Sequence, residues 1–216
     1  MKTVVIALLI LLGSAAAQEP YGLKGFVVGK STLEEFKKEF QHCADNCTAK
    51  QQRKYGAARM APFCSDTDLG AASSLPLSDR ELHLKAGLVY CQPYFPFESF
   101  NGTKWTIADV PVTAYFEFYQ GTLYKFSAAF PSSGFSLMRS AFEKKYGTPA
   151  KVDVHEYQNG YGAKYQGAVV VWDNGVSRIE LMEVIRSKDE SGVMFSHAQM
   201  AAAAANAAPK HKSDDL

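Results

Sequence analysis

Thr113-Ala114-Tyr115-Phe116-Glu117-Phe118-Tyr119-Gln120-Gly121-Thr122-Leu123-Tyr124-Lys125-Phe126-Ser127-Ala128-Ala129-Phe130 is the stretch on which the fold class turns. Before Gln120 the residues alternate, with Phe116 and Phe118 separated by polar or polar-tipped Tyr115, Glu117 and Tyr119. After Gly121 the chain alternates again, and the spacing predicts one face made of Tyr124, Phe126, Ala128 and Phe130. Period-two runs on either side of a Gln-Gly turn predict an antiparallel hairpin with one wet face.

Moving towards the C-terminus, Phe135, Met138, Ala141, Phe142 and Tyr146 recur at helical spacing. Gly147 follows as a C-terminal cap, and Pro149 prevents continuation. Strands are then expected over 152–157, 168–172 and 176–185, with a last edge strand over 193–196. Asn174-Gly175 reads as a two-residue hairpin turn. Residues 199–216 are alanine-rich and then charged, and read as a mobile tail.

Moving towards the N-terminus, residues 92–111 mix Pro93, Pro96 and Pro111 with aromatics, which reads as an irregular connection. Residues 86–91 and 58–64 read as strands, and 71–78 as a loop. Residues 23–28 read as a short strand, and Gly29-Lys30 turns the chain. Ser31-x-x-Glu34 is a capping-box pattern for a helix whose inner face carries Leu33, Phe36 and Phe40. The resulting expectation is an α+β fold with two helices packed on an antiparallel sheet. Its domain would cover residues 18–198, with possible similar halves at 18–95 and 112–198.

Residues 1–17 have the three parts of a cleaved secretory signal. Lys2 is the positive start, Val4 to Leu12 the apolar run, and Ala15-Ala16-Ala17 the small-residue cleavage site. The apolar run is shorter than the ~20 residues needed to span a bilayer. The expectation is therefore an exported, soluble protein of the periplasm or the extracellular space, with no stable membrane insertion. Removing 17 of 216 residues leaves 199, with 22 basic and 22 acidic side chains. That balance lacks the basic footprint of a nucleic-acid partner.

Cys43, Cys47, Cys64 and Cys91 are an even set in an exporting context, which argues for two disulfides. Three pairings are possible. The reading leans towards Cys64 joining Cys43 or Cys47, with Cys91 taking the other. Cys43-x3-Cys47 beside His42 could also be drawn as a metal site, which an oxidising compartment disfavours. In a secreted eukaryotic protein, Asn46-Cys47-Thr48 and Asn101-Gly102-Thr103 would be glycosylation acceptors.

No nucleophile elbow, phosphate loop or zinc helix is present, so the sequence offers no catalytic, cofactor or metal residues. His155 and Glu156 are neighbours in an expected strand and should point to opposite faces. The most suggestive segment is Tyr90 to Trp105. Its Tyr94, Phe95, Phe97, Phe100 and Trp105 could form a rigid binding surface, or could cover the open end of the core. Tyr157, Tyr161 and Tyr165 form a second aromatic group around a glycine-rich turn.

Val28-Gly29-Lys30-Ser31-Thr32-Leu33-Glu34-Glu35-Phe36, Phe142 to Pro149, Trp172 and Ile179-Glu180-Leu181 together give a layout. It resembles small uncharacterised bacterial envelope proteins. More loosely it is similar to the fold class shared by the small lipoprotein of the outer-membrane assembly machine and the β-lactamase inhibitor protein. That resemblance spans most of residues 23–197 and implies binding to another envelope or secreted protein. It carries over no functional residue, and the lipidated cysteine of the lipoprotein is missing. The functional expectation is a non-catalytic protein- or peptide-binding module of the cell envelope. The alternative is a small-ligand-binding protein or hydrolase.

Overall fold

The hairpin forms as its alternation requires, and the other strands assemble around it. The computed structural model describes residues 18–45, 63–66, 77–93, 105–158, 160 and 162–209. Strands β1 (Gly22–Leu23) and β2 (Phe26–Val27) precede helix α1 (Leu33–Asp45) and strand β3 (Phe63–Cys64). Helix α2 (Leu77–Lys85) leads into β4 (Leu88–Gln92), β5 (Thr106–Ile107) and β6 (Val110–Pro111). The central hairpin is β7 (Thr113–Tyr119) and β8 (Thr122–Pro131), followed by helix α3 (Phe135–Tyr146). Strands β9 (Lys151–Gln158), β10 (Lys164–Asp173), β11 (Ser177–Met182) and β12 (Glu190–His197) complete the sheet, and helix α4 (Ala198–Ala207) ends the described chain.

The expected α+β fold, two helices on an antiparallel sheet with similar halves, is overturned. The protein is mostly β. One antiparallel sheet runs β3-β4-β7-β8-β12-β11-β10-β9, with seven longer strands and the two-residue β3. Two small ribbons, β1-β2 and β5-β6, accompany it, and the described residues hold four α-helices rather than two. The reason lies in backbone pairing. β4 hydrogen-bonds β7, so the sheet passes straight across the 92–111 connection. β12 inserts between β8 and β11 and is central, not the edge strand expected over 193–196.

One sheet face carries the main core. Phe116 and Phe118 of β7 and Phe126, Ala128 and Phe130 of β8 are buried there. Phe36 and Phe40 from α1 close over Phe116, with ring centroids 4.7 and 6.1 Å away. From α3, Phe142 meets Trp172 at 5.9 Å and Phe195 at 5.8 Å. The Trp172 indole N–H is satisfied by the Gly147 carbonyl at 2.8 Å. Gly147 itself takes φ 82°, the left-handed backbone for which the sequence needs glycine at the helix end.

Three local expectations shift. The α1 cap is one residue later than expected. Thr32 N–H donates to Glu35 Oε2 at 2.8 Å and Glu35 N–H to Thr32 Oγ1 at 3.2 Å, while Ser31 Oγ accepts from Val27 N–H. The 23–28 stretch is a tight hairpin, because Lys24 and Gly25 both adopt positive φ. Asp173 pairs with Arg178, so Asn174-Gly175 belongs to a four-residue loop rather than a two-residue turn. Asn174 Oδ1 organises that loop by accepting from Val176 N–H and Ser177 N–H.

The opposite sheet face is partly covered by α4. The stretch read as a mobile tail is helical over Ala198–Ala207, and Ala204 packs with Leu88 and Tyr124. Alanine has the highest helix propensity, so a run that offers little apolar bulk still forms a helix once one small face has a sheet to lie on. His197 caps it, its Nδ1 accepting from Met200 N–H at 3.4 Å.

Candidate binding surface

The two edges of the sheet are built differently. At one edge β3 is two residues long and is clamped to β4 by the Cys64–Cys91 disulfide. This overturns the expected pairing of Cys64 with Cys43 or Cys47. Cys64 and Cys91 lie directly opposite in register with Cα atoms 4.1 Å apart, so neighbouring strands bring the sulfurs together. The side chains of Cys43 and Cys47 lie outside the described residues.

At the other edge β9 runs for eight residues and pairs only with β10. Among the described residues no further strand lies beside it, so a row of backbone donors and acceptors faces outward. Four large apolar side chains are exposed among the described residues, and two of them, Val152 at 46% and Val154 at 64%, are on β9. They share a face, opposite Val170 and Ala168 of β10. Lys151, Asp153, His155 and Tyr157 occupy the other face.

The hairpin also projects. β11 pairs with β10 only from Val169 onward, whereas β9 pairs with β10 back to Lys164. The projecting arm is stiffened by Tyr157 and Tyr165, stacked with centroids 5.7 Å apart, and by a Lys164–Glu156 ion pair at 2.8 Å. Gly167 leaves room for Val184 and the Tyr157 ring, which a Cβ there would meet at 2.7 and 3.2 Å. His155 and Glu156 do point to opposite faces, His155 opposite Gly167 and Glu156 opposite Gln166.

Of the aromatic segment, Tyr94, Phe95, Phe97 and Phe100 lie outside the described residues. Trp105 is half-buried and joins the core, edge-on to Phe126 at 5.6 Å and near Phe116 at 5.7 Å. Lys24 Nζ sits over its ring at 5.8 Å. Tyr161 lies outside the described residues, while Tyr157 and Tyr165 form the stacked pair.

A feature missed in the sequence is a β-bulge in the central hairpin. Glu117 pairs with Lys125 and Phe118 with Leu123, so Tyr124 is the extra residue. Tyr124 therefore leaves the face expected for it and turns to the outer one, where Tyr124 Oη donates to Glu117 Oε2 at 2.7 Å and Lys125 Nζ meets Oε1 at 2.8 Å. Burial and the Glu117 carboxylate push the Tyr124 hydroxyl well above the ordinary tyrosine value, and the same causes raise Tyr90. The signal was the spacing of apolar Leu123, Phe126, Ala128 and Phe130, a step of three before steps of two. The cluster is internally satisfied and acts as a latch for the bulge.

An open recess of about 440 Å³ is lined by Arg139, Glu143, Gly147, Thr148 and Pro149. Its charges are paired with each other, Arg139 Nε to Glu143 Oε1 at 2.8 Å. Compared with known proteins, the chain matches no family model, no curated protein and no solved structure.

Proposed function

We propose that this is an exported binding module of the cell envelope that takes up an extended segment of another polypeptide along β9. The observation that carries the reading is the open eight-residue edge with Val152 and Val154 exposed side by side. Strand addition gains affinity from main-chain hydrogen bonds and specificity from alternate side chains. An arriving strand would find an apolar strip on one face and Lys151, Asp153, His155 and Tyr157 on the other. The envelope resemblance supports the same reading, and the blunted β3 edge leaves β9 as the place for it.

The test uses a displayed library of extended peptides. Peptides selected on the purified protein should slow amide exchange across 151–158. Val154→Lys should abolish their binding, and Leu137→Lys, at an exposed position of α3, should retain it. Selected peptides that leave β9 amides unprotected would refute the reading.

A further inference from the structure

We infer that the strand β9 accepts is β9 of a second copy of this chain, paired antiparallel about a two-fold axis at Val154. The inference rests on the strand-addition reading and names the partner. A two-fold axis normal to the sheet keeps each residue on its own face, so only registers that pair residues of like parity are allowed. Centring on Val154 places Val154 against Val154, Asp153 against His155 twice, Val152 against Glu156 and Lys151 against Tyr157.

This register is selected over the earlier one by charge and over the later one by apolar matching. A centre one residue earlier sets Asp153 against Asp153, and like charges directly opposite destabilise a sheet. A centre one residue later sets His155 against His155 and moves the valines apart. With Val154 at the centre, each Val152 lies diagonal to Val154 of the other copy. The four valines then make one strip, and each copy covers the two most exposed apolar side chains of the other's edge.

Each copy brings its edge charges as balanced pairs rather than as a run of one sign. Lys151 Nζ engages Asp153 Oδ2 at 2.7 Å and Lys164 engages Glu156 at 2.8 Å. β9 also contains no proline and no bulge, the usual devices that keep an edge from pairing. The result is a sheet continuous through two copies, with the projecting arms flanking the axis.

Sedimentation equilibrium of the purified protein should show a reversible monomer–dimer step with Kd on the order of 10 μM. His155→Asp, which sets two carboxylates against each other on both sides of the axis, should weaken dimerisation at least about tenfold. Adding Asp153→His to that variant exchanges the two partners and should bring Kd back to within about threefold of wild type. Amide exchange over 151–158 should slow with rising protein concentration. A protein that stays monomeric to about 200 μM, a dimer indifferent to His155→Asp, or a dimer with fast-exchanging β9 amides would each overturn the inference. A monomer whose β9 is still protected by selected peptides would overturn self-pairing and leave strand addition intact.

Discussion

Breaking the Cys64–Cys91 bond is the perturbation with the most consequences for the fold. The crosslink spans 27 residues of sequence. Loop-closure entropy for that span amounts to about 3.5 kcal/mol of stabilisation at 25 °C. Replacing both cysteines by alanine also removes two sulfurs from sites that are 0% and 2% exposed, which costs about 1 kcal/mol more. The double variant Cys64→Ala with Cys91→Ala should therefore lose about 4–5 kcal/mol. With a urea slope of about 2 kcal/mol/M, the midpoint should fall by about 2 M. Amide exchange should quicken first in β3, because only two residue pairs hold it to β4 once the crosslink is gone, whereas β4 keeps its pairing with β7. Urea unfolding followed by tryptophan fluorescence reads the loss, since Trp105 and Trp172 both pack in the core. A loss below about 1.5 kcal/mol would refute the reasoning. So would a peptide map joining Cys64 to Cys43 or Cys47.

Thr32→Ala removes one half of the reciprocal cap of α1 and should cost about 1 kcal/mol in chemical denaturation. In the β5–β6 turn, Ala108 and Asp109 hold φ of 49° and 63°, a region that L-residues other than Asn and Asp resist. Ala108→Asn with Asp109→Gly should raise stability by about 1 kcal/mol, seen as a higher Tm. Tyr124 has a raised folded-state pKa from burial and from Glu117. A raised value means that its contribution is intact below the unfolded value near 10 and is lost as pH rises above it. Urea titrations between about pH 9 and 11 should show wild type losing stability more steeply than Tyr124→Phe. Parallel curves would remove Tyr124 from the alkaline transition.

The sequence was most readable where one face of an element is buried and the other wet. The β7–β8 hairpin, the Phe36 and Phe40 face of α1, and the Phe135 to Gly147 helix with its cap all sit where periodicity places them. Less readable was anything decided by partners distant in sequence. Residues 193–196 look like an edge strand until β8 and β11 are seen to flank them. The pairing of Cys64 with Cys91 follows from strand register, which spacing does not encode. Helix α2 has little apolar periodicity, and α4 is alanine with one small buried face, so neither announces its contacts. Tyr124 left its expected face because a bulge inverts alternation, and only the three-residue step after Leu123 marked it. The candidate surface was half legible. Val152 to Tyr157 was recognisable as a strand, but its place at the end of the sheet depends on the order of all eight strands.

That order makes the difference between the two edges meaningful. A sheet ends wherever its chain runs out of strands, and an end alone says nothing about binding. Among the described residues the β3 end is two residues long and carries a covalent clamp. The β9 end has the opposite construction. It is eight residues long, regular in register with β10, and continued past β11 by an arm that needs stacked tyrosines, an ion pair and a glycine contact to hold it straight. Ordering residues costs about 1–2 kcal/mol of backbone entropy each, and the arm recovers none of that from the main core. Its charges are paired along the hairpin, and Val152 and Val154 stand exposed among them. Val152 and Val154 are already partly covered, so burying what remains exposed would return about 1 kcal/mol per side chain. A straight edge with paired charges and two exposed valines is therefore suited to the proposed partner strand, and the described β3 edge, short and crosslinked, is not.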